Sequence, residues 1–564
     1  MRKQIYLFLS SALLLSTQLL AQSALAPLNA DYYHLIDRYE IAAGQITPLF
    51  HSNLKGYERE AIASFADSLQ ATQADLSGQD RFNLQYLVHD NWEWVDSAGN
   101  QSRKPILKHF YKVNSDLYHV RTKDFDLHVN PVLQIGYGSE PDGDVNPSIN
   151  TRGVQVRGVV DGKVGFYSYI GETQMFSPEY VRNFRVSNLT VPHEGFWKGF
   201  KDNGVDFFTA RGYVTFDATK HINLQFGHDR FKIGNGYRSM ILSDNSAPYL
   251  FLKMNTQVWK IKYTNLFTKL TADVTGNGSG LTASNSGYPE KYMALHHLGI
   301  NIGKKLNVGI FESVVFDRRD SLGNSQFELN YLNPIIFYRA IEQQNGSTDN
   351  ALLGLDFKWL ALKGISLYGQ LVLDEFLLDN LREGEGWWGN KFAIQLGGEY
   401  VDAFGINNLD LQGEINLAKP YTYSHSSQYG SYSHYRQSLA HPLGANFNEF
   451  VGVVRYQPFN RLYLTAKLIK ASYGLDDVDQ NWGGQILKNN TTRERNLGNE
   501  IGQGQSTDLT FVDLTASYMF KHNIFIDAKL VKRDVASELT RAESNTTLAM
   551  LSLRWNIPQR LHEF

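Results

Sequence analysis

Segments in which apolar and polar side chains alternate over about ten residues are the feature that most constrains the fold of this chain. Residues 259–268, 365–374, 408–417 and 462–469 all show the alternation. In one of them Ile365 and Leu367 flank Ser366. A period of two predicts β-strands whose two faces meet different surroundings. About ten residues is long for a strand of a soluble sheet, but it matches a tilted strand that crosses a bilayer.

The apolar faces of these segments carry no charged residue. A lysine or arginine on the lipid-facing side of a barrel costs roughly 2–4 kcal/mol at the membrane midplane. Lipid also offers no hydrogen-bond partner to a free backbone group, so a sheet that spans the membrane must close on itself. The sequence therefore predicts an all-β membrane protein, with a soluble all-β protein as the alternative that shorter strands would indicate.

The connections between the predicted strands alternate strictly between short turns and long polar loops. The turns are 161–163, 217–220, 255–257, 303–305, 361–364, 402–405, 457–460 and 521–523. The loops are near 137–150, 174–204, 229–249, 270–291, 317–350, 377–390, 419–446, 474–507 and 533–546. Bacterial barrels place short turns in the periplasm and long loops outside the cell. Eight turns and nine loops predict an 18-stranded antiparallel transmembrane β-barrel, with 16 strands as the alternative.

The N-terminal residues have the features of an export signal. Arg2 and Lys3 precede an apolar stretch at 5–20, and Ala21 offers a cleavage point, so we assign residues 1–21 to a signal peptide. An N-terminal membrane anchor is the alternative. The absence of cysteine excludes a lipid anchor, disulfide bonds and thiol catalysis. The formal charge of −3 provides no basic field for nucleic acid, which we exclude as a partner.

A helical segment precedes the barrel. Residues 32–43 and 56–71 carry apolar side chains at helical spacing, and 80–88 form a third candidate helix. We therefore expect a periplasmic or plug segment at 22–110, containing a small N-terminal α-helical bundle, and a transmembrane β-barrel at 111–564. A barrel of this size encloses an aqueous bore unless something fills it. We expect the helices or the longest loops to occlude that bore.

Few residues are arranged for catalysis. His296 and His297 are adjacent on a predicted strand and must point to opposite faces, so they cannot act as a dyad. Glu383 and Glu385 could pair as glycosidase carboxylates, but the glycines around them favour a mobile loop. We therefore predict no catalytic residue and no cofactor.

One acidic loop offers a candidate for metal binding. Asp142, Asp144 and Asn146 could hold a weak calcium ion through their oxygen atoms. A solvated acidic loop is the stronger interpretation of the same residues. We therefore predict no metal site.

Aromatic residues crowd two of the long loops. One loop holds Trp387 and Trp388, and the next holds Tyr421, Tyr423, Tyr429, Tyr432 and Tyr435. Aromatic faces stack on sugar rings, while hydroxyl and guanidinium groups reach the polar substituents. We predict an exposed polysaccharide-binding platform that uses Trp387, Trp388, Tyr423, Tyr429, Tyr432 and Tyr435. An aromatic girdle at the rim of the membrane is the alternative.

Two stretches resemble the Wzi-type capsule assembly proteins of the outer membrane. The first, 227–248, runs through a Gly-x-Gly turn and has its motif positions at Asp229, Gly234, Gly236, Ser243, Asp244, Asn245 and Pro248. The second, 327–339, contains Asn333 and Pro334. Residues 32–35 and 91–94 look like the longer Bacteroidota members, including those named after the RemB gliding-motility protein. The turn at 232–236 departs from the Trp-Gly-Pro-Gly of capsule-linked members, which bears on the ligand more than on the fold.

The resemblance implies an 18-stranded barrel with a helical bundle at its periplasmic end. It also implies a surface lectin that anchors capsular or exported polysaccharide. Within 227–248, we expect Asp229, Arg230, Arg238 and Asp244 to form a lumenal ion-pair network that pins the loop. The alternative is contact of Arg230, Arg238 or Arg339 with an acidic polysaccharide, because guanidinium groups bind carboxylates well.

We therefore interpret the chain as a non-enzymatic protein of the bacterial outer membrane that binds or organises surface polysaccharide, with a link to gliding motility as a further hypothesis. Its expected partners are outer-membrane lipids and lipopolysaccharide, capsular or exported polysaccharide and, through the aromatic Phe564, the barrel-insertion machinery. The first alternative is a diffusion or solute channel. A hydrolase of the outer membrane and a structural subunit of an envelope machine are the others.

Overall fold

Eighteen long antiparallel strands form the wall of the protein. The computed structural model describes residues 23–564 apart from 74, 96–98, 142, 274–287, 320–324, 335–336 and 347–348. The predicted signal peptide and Asp142 lie outside the described residues. In chain order the strands are β1 (Phe125–Ser139), β2 (Ser148–Val160), β3 (Val164–Phe176), β4 (Gly204–Thr219), β5 (Ile222–Asp229), β6 (Tyr249–Val258), β7 (Ile261–Thr271), β8 (Glu290–Ile302), β9 (Leu306–Phe316), β10 (Asn350–Leu362), β11 (Ile365–Glu375), β12 (Lys391–Tyr400), β13 (Leu409–Ala418), β14 (Phe447–Phe459), β15 (Leu462–Leu475), β16 (Gln505–Lys521), β17 (Ile524–Ser537) and β18 (Ser544–Trp555).

The sheet closes on itself. β1 pairs with β18 from Leu133 opposite Trp555 to Ser139 opposite Ala549. Each other strand of the wall pairs with its neighbours in the chain. The predicted 18-stranded antiparallel barrel is confirmed, and the alternative of 16 strands is excluded.

The short connections lie at one end of the barrel, the turn end, and the long ones at the other, the loop end. The turn predicted at 255–257 is wrong, because β6 continues to Val258 and the chain reverses at Trp259. Asn255 instead pairs with Thr264 of β7. Its polarity reflects the lumen, where it accepts a hydrogen bond from Thr264 Oγ1 at 2.8 Å.

The two faces of the wall follow the alternation of the sequence. On β11, Ser366, Tyr368 and Gln370 point inward and are buried, while Leu367 points outward and is exposed. The polar side chains are therefore buried against other protein segments within the barrel. The apolar side chains form the outer surface, as a lipid-facing wall requires.

In the described residues, six α-helices accompany the barrel. They are α1 (Ala30–Ala43), α2 (Arg59–Thr72), α3 (Gly78–Asp90), α4 (Glu179–Asn188), α5 (Tyr338–Asn345) and α6 (Leu378–Glu383). Asn29 caps the N-terminus of α1, because its side chain accepts hydrogen bonds from the backbone N–H groups of Asp31 and Tyr32. α3 begins with a capping box between Ser77 and Asp80. In the part of the chain that the structure describes, no helix is long and apolar enough to cross a membrane.

The first three helices form a bundle that covers the turn end. They share a buried apolar core. On α1, the guanidinium group of Arg38 donates to Asp402 at 2.6 Å and also bonds Asp410. On α3, Asp90 accepts from the side-chain amide of Asn523 at 2.9 Å. The bundle is thus tied to the barrel by ionic and polar contacts on two sides.

Several of the described segments lie in the lumen behind this bundle. They include the connection 45–58 between α1 and α2, the inner loop 230–248, the second inner loop 419–446 and the tail 556–564. Leu54, Met240, Tyr423 and Ile557, one from each segment, belong to a single buried apolar cluster. The helices therefore cap the turn end, while loops and the tail occupy most of the bore.

Candidate functional site

The inner loop descends to the middle of the lumen and meets the segment 45–58 there. The N–H of Gly234 donates to the carbonyl of Asn53 at 2.7 Å, and that of Lys55 donates to the carbonyl of Lys232 at 3.0 Å. Gly234 has a φ of 117°, a conformation that L side chains rarely adopt. A Cβ there would also lie 2.1 Å from Nε2 of Gln370. Glycine is therefore required at this motif position.

The end of the motif joins the two inner loops. The N–H of Ser243 donates to the carbonyl of Leu439 at 2.7 Å, and the side chain of Asn245 donates to the carbonyl of Ser438 at 3.1 Å. The carbonyl of Pro248 lies 3.1 Å from Nε2 of His434. These motif residues hold the second inner loop in place through backbone and side-chain hydrogen bonds.

Arg238 lies in a buried ionic network, although its partners differ from those expected. It lies 3.2 Å from Glu449 and 2.6 Å from Glu563 of the tail, rather than beside Asp229 or Asp244. Lys467 adds a second cation 2.5 Å from Glu563. Burial alone would raise the pKa of Glu563, but Lys467 and Arg238 outweigh burial and hold that pKa well below its ordinary range. Arg238 therefore holds the loop through Glu449 and Glu563 and not through the predicted network with Asp229 and Asp244, and its charge is already neutralised.

Arg230 has no such anion. Its Nη1 donates to the carbonyls of His193, Asp244 and Ser246 at 2.9–3.4 Å, and no carboxylate of the described residues lies within 4.0 Å of its guanidinium group. Burial lowers the pKa of Arg230, an effect that the neighbouring Asp244 carboxylate opposes. Its Nε is buried without a hydrogen-bond partner. The guanidinium group of Arg230 can therefore bind the carboxylate of a ligand.

Two further arginines extend this site, which we call the arginine cluster (Arg211, Arg230 and Arg560). Arg211 of β4 lies 4.0 Å from Asp229 and above the ring of Tyr169. Arg560 of the tail lies 2.8 Å from Glu194. Their Nε atoms are also buried without a partner. Sequence reasoning missed Arg211 and Arg560, although the alternation around Arg211, between Ala210 and Gly212, places it on the lumenal face.

The arginine cluster lines a cavity of about 670 Å³ that the filling segments leave open. The cavity reaches Val478 and Arg541, which are exposed on the outer loops, and extends to Asn29 and His34 at the helical bundle. Along the way it passes polar side chains of β12–β16 and of the tail. The site is therefore a deep polar cleft that is accessible from the loop end.

The predicted tyrosine platform is only partly exposed. Tyr423 and Tyr432 are fully buried and stack with ring centroids 5.8 Å apart, so the expectation that they are exposed is wrong. The physical reason is that their loop folds into the lumen, where the hydroxyl of Tyr423 donates to the carbonyl of Met240 at 2.7 Å. Tyr429 and Tyr435 are half-buried.

Trp387 and Trp388 form a separate aromatic patch on the outer loops. Both are half-buried, and their ring centroids lie 6.1 Å apart. The guanidinium group of Arg493 lies 4.0 Å from the ring centroid of Trp388. Neither tryptophan lines the cavity of the arginine cluster. The patch combines aromatic faces with a cation, which suits sugars that carry acidic groups.

The second motif lies elsewhere. Arg339, Asn333 and Pro334 sit on the outer wall of the barrel, away from the lumen, where the carbonyl of Pro334 accepts from Asn265 of β7. The N–H of Arg339 donates to Glu312 of β9 at 3.0 Å. The structure therefore separates Arg339 from Arg230 and Arg238.

The catalytic and metal candidates are also scattered. His296 points outward and bonds Tyr338, while His297 points inward and lies 2.6 Å from Asp356, so the predicted opposite orientation is confirmed. Glu383 and Glu385 are both exposed on one outer loop. Among the described residues, which exclude Asp142, no group of three metal-binding side chains is found.

Comparison with known proteins identifies a related architecture. No family model and no curated protein matches the sequence. The structure is similar to Wzi of Escherichia coli, described as a carbohydrate-binding β-barrel involved in group 1 capsule assembly, with a TM-score of 0.57, 12% identity, and coverage of 96% of this chain and 100% of that one. OccAB2 of Acinetobacter baumannii and OprD of Pseudomonas aeruginosa each give a TM-score of 0.41 at 9% identity, covering 76% of this chain and 97% and 92% of theirs. The fold is that of a Wzi-like barrel of the bacterial outer membrane.

Proposed function

We propose that this protein binds acidic polysaccharide at the outer face of the outer membrane, without catalysing a reaction on it. The observation that carries the proposal is the arginine cluster: three guanidinium-bearing side chains line a cleft that reaches the outer loops, and no carboxylate of the described residues lies within 4.0 Å of the guanidinium group of Arg230. Guanidinium groups form strong paired hydrogen bonds with carboxylates. The description of Wzi as carbohydrate-binding belongs to that protein, and the shared fold makes the same class of ligand a natural hypothesis here.

Two regions contact the polysaccharide in this proposal. Trp387 and Trp388 stack on sugar rings at the surface, where Arg493 adds a positive charge. The arginine cluster binds an acidic sugar that enters the cleft. Because Arg238 is neutralised by Glu449 and Glu563, we assign it to holding the inner loop and not to the ligand. The finer parts of the proposal, from the resemblance, are capsule attachment and a link to gliding motility.

The test is calorimetric titration of the full-length protein in detergent with a uronic-acid polysaccharide and with a neutral glucan. We expect binding of the acidic polymer alone. Arg230→Gln removes a charge-assisted contact of about 1.5 kcal/mol or more, which is about tenfold in affinity. Arg339→Gln is the matched control, because Arg339 lies on the outer wall, and it should bind as the unaltered protein does.

Two outcomes would overturn the proposal. One is equal binding of acidic and neutral polymers that Arg230→Gln leaves unchanged. The other is unchanged glycan binding and capsule retention by cells that lack the protein. Either result would mean that the cleft has another ligand.

A solute channel is the second candidate, and the length of the cavity favours it, because the cavity joins the outer loops to the helical bundle. Planar-bilayer recording of the full-length protein separates the two candidates. Brief or absent conductance favours the binding protein. Steady conductance would favour the solute channel.

A further inference from the structure

A row of three polar residues interrupts the apolar outer wall. Asn265 of β7, His296 of β8 and Glu312 of β9 are direct neighbours across the strands. His296 points outward, since its chain neighbours Leu295 and His297 point into the lumen. Its cross-strand partners Asn265 and Glu312 point the same way. We call these three residues the polar rung.

The polar rung lies at the level of the membrane. In the same cross-strand row, Met254 and Leu224 follow on one side, and Leu353 and Leu373 on the other. His296 is also six residues above the turn end of β8 at Ile302. This is about 20 Å along the strand and, for a strand tilted by about 40°, about 15 Å along the membrane normal, in an apolar band about 25 Å tall. The rung therefore falls in the outer half of the bilayer, where unbonded polar groups are costly.

The described residues of the connection between β9 and β10, which are 317–319, 325–334, 337–346 and 349, lie against the outside of the barrel and cover the rung. We call these residues the outer strap. Phe327 packs on Phe267, Tyr292 and Phe316 of the outer wall, with ring centroids 5.1–6.3 Å apart. Further down, the ring of Tyr338 lies 4.0 Å from that of His296. Aromatic contacts thus attach the strap to the outer wall at Phe327 and at Tyr338.

The rung supplies the hydrogen bonds that lipid cannot. The amide of Asn265 donates to the carbonyl of Pro334 at 3.3 Å, and the N–H of Arg339 donates to Glu312 at 3.0 Å. The hydroxyl of Tyr338 bonds Nε2 of His296. Irregular backbone at membrane depth is tolerated only where protein groups satisfy it. The three outward polar residues therefore share one role, which is to form hydrogen bonds with the irregular part of the strap.

The free face of the strap carries large apolar side chains. Leu329 is 73% exposed, Leu332 41% and Phe337 71%. They continue the apolar surface that Leu353 and Leu355 present on the adjoining strand. Arg339, which is also exposed, has a stem long enough for its charge to reach the headgroups.

We propose that the outer strap is embedded in the outer leaflet of the membrane, where Leu329, Leu332 and Phe337 contact acyl chains and the polar rung secures the backbone behind them. In the outer half of the bilayer, sector β7–β9 then meets lipid through this strap and not through its strands. The proposal is independent of the glycan function.

Spin labelling tests the position of the strap, and the chain has no cysteine to interfere. A nitroxide at Phe337→Cys, in full-length protein reconstituted in vesicles, should be more accessible to oxygen than to a water-soluble nickel complex. Leu355→Cys, outward on β10, is the lipid-facing control, and Val478→Cys, on an outer loop, is the aqueous control. A nickel preference like that of Val478→Cys would overturn the proposal. Low accessibility to both reagents would also overturn it, because it would mean that protein covers the strap.

The polar rung is tested with the same probe. Asn265→Leu, His296→Leu and Glu312→Leu together should increase the mobility of the label at position 337 while the barrel keeps its heat-modifiable migration on gels. Ile310→Leu, an outward substitution on β9, is the matched control and should leave the spectrum unchanged. An unchanged spectrum in the triple variant would show that the rung does not hold the strap.

Discussion

The inner loop and the outer strap are both long connections at the loop end, yet one enters the lumen and the other descends the outer wall. Inside, the inner loop is held by the ionic contacts of Arg238 with Glu449 and Glu563. Outside, the strap is held by single hydrogen bonds from the polar rung and by aromatic packing. The difference teaches that a barrel can hold irregular backbone on either face if its strands offer polar partners at that depth.

The largest effect should come from breaking the ionic anchor of the inner loop. Arg238→Gln leaves Glu449 and Glu563 buried with one cation fewer, and losing one partner of a buried pair costs about 3–5 kcal/mol. The measurement is the free energy of unfolding in urea, followed by tryptophan fluorescence. Arg339→Gln, on the strap, should change it by less than about 0.5 kcal/mol, as a surface substitution does. Equal effects of the two would show that the inner and outer anchors do not differ.

A smaller loss is expected from filling the space at the tip of the inner loop. Gly234→Ala places a methyl group 2.1 Å from the amide of Gln370, which also donates to the carbonyl of Ile233 at 2.9 Å. Steric and backbone strain together should cost about 2–3 kcal/mol. Gly384→Ala, at a φ of 71° with open space around it, meets only the backbone term of about 1 kcal/mol. Similar unfolding energies for the two variants would contradict the tight contact.

The last effect concerns the pH dependence of the unfolding free energy. The pKa of Glu563 is held below its ordinary value, so its contribution to stability is present above the unfolded-state pKa of about 4.3 and is lost as pH falls through the lower folded-state value. The stability difference between the unaltered protein and Glu563→Gln should therefore be constant near neutral pH and shrink below about pH 4. Urea titrations at several pH values measure it. A difference that persists at low pH would mean that Glu563 acts through its shape and not its charge.

The sequence predicts the wall of the barrel better than its contents. Alternation identifies the strands because lipid and lumen impose opposite demands on neighbouring side chains. The same rule misplaced the turn at 255–257, since lumenal polar residues such as Asn255 resemble turn residues. No local feature of the sequence distinguishes a loop that folds into the lumen from an exposed loop. Tyr423 and Tyr432 were therefore expected at the surface.

The candidate site was predictable only in part. Arg230 and the motif glycines were found because they are close together in the chain. The partners of Arg238 were not, since Glu449 is 211 residues away and its approach depends on barrel closure. The motif at 327–339 did not indicate that its loop lies outside the barrel either, because Asn265, His296 and Glu312 come together only through strand register.

The position of the tail has a consequence for the order of assembly. The tail leaves β18 at the turn end, where the N–H of Asn556 donates to the carbonyl of Asn523 at 3.0 Å, and then enters the lumen. Tyr86 and Asp90 of α3 bond the side chain of the same Asn523 and so cover this entrance. The tail can enter only while the entrance is open. The helices that are synthesised first are therefore expected to dock last, after the final strand has closed the barrel, which reverses the order of translation.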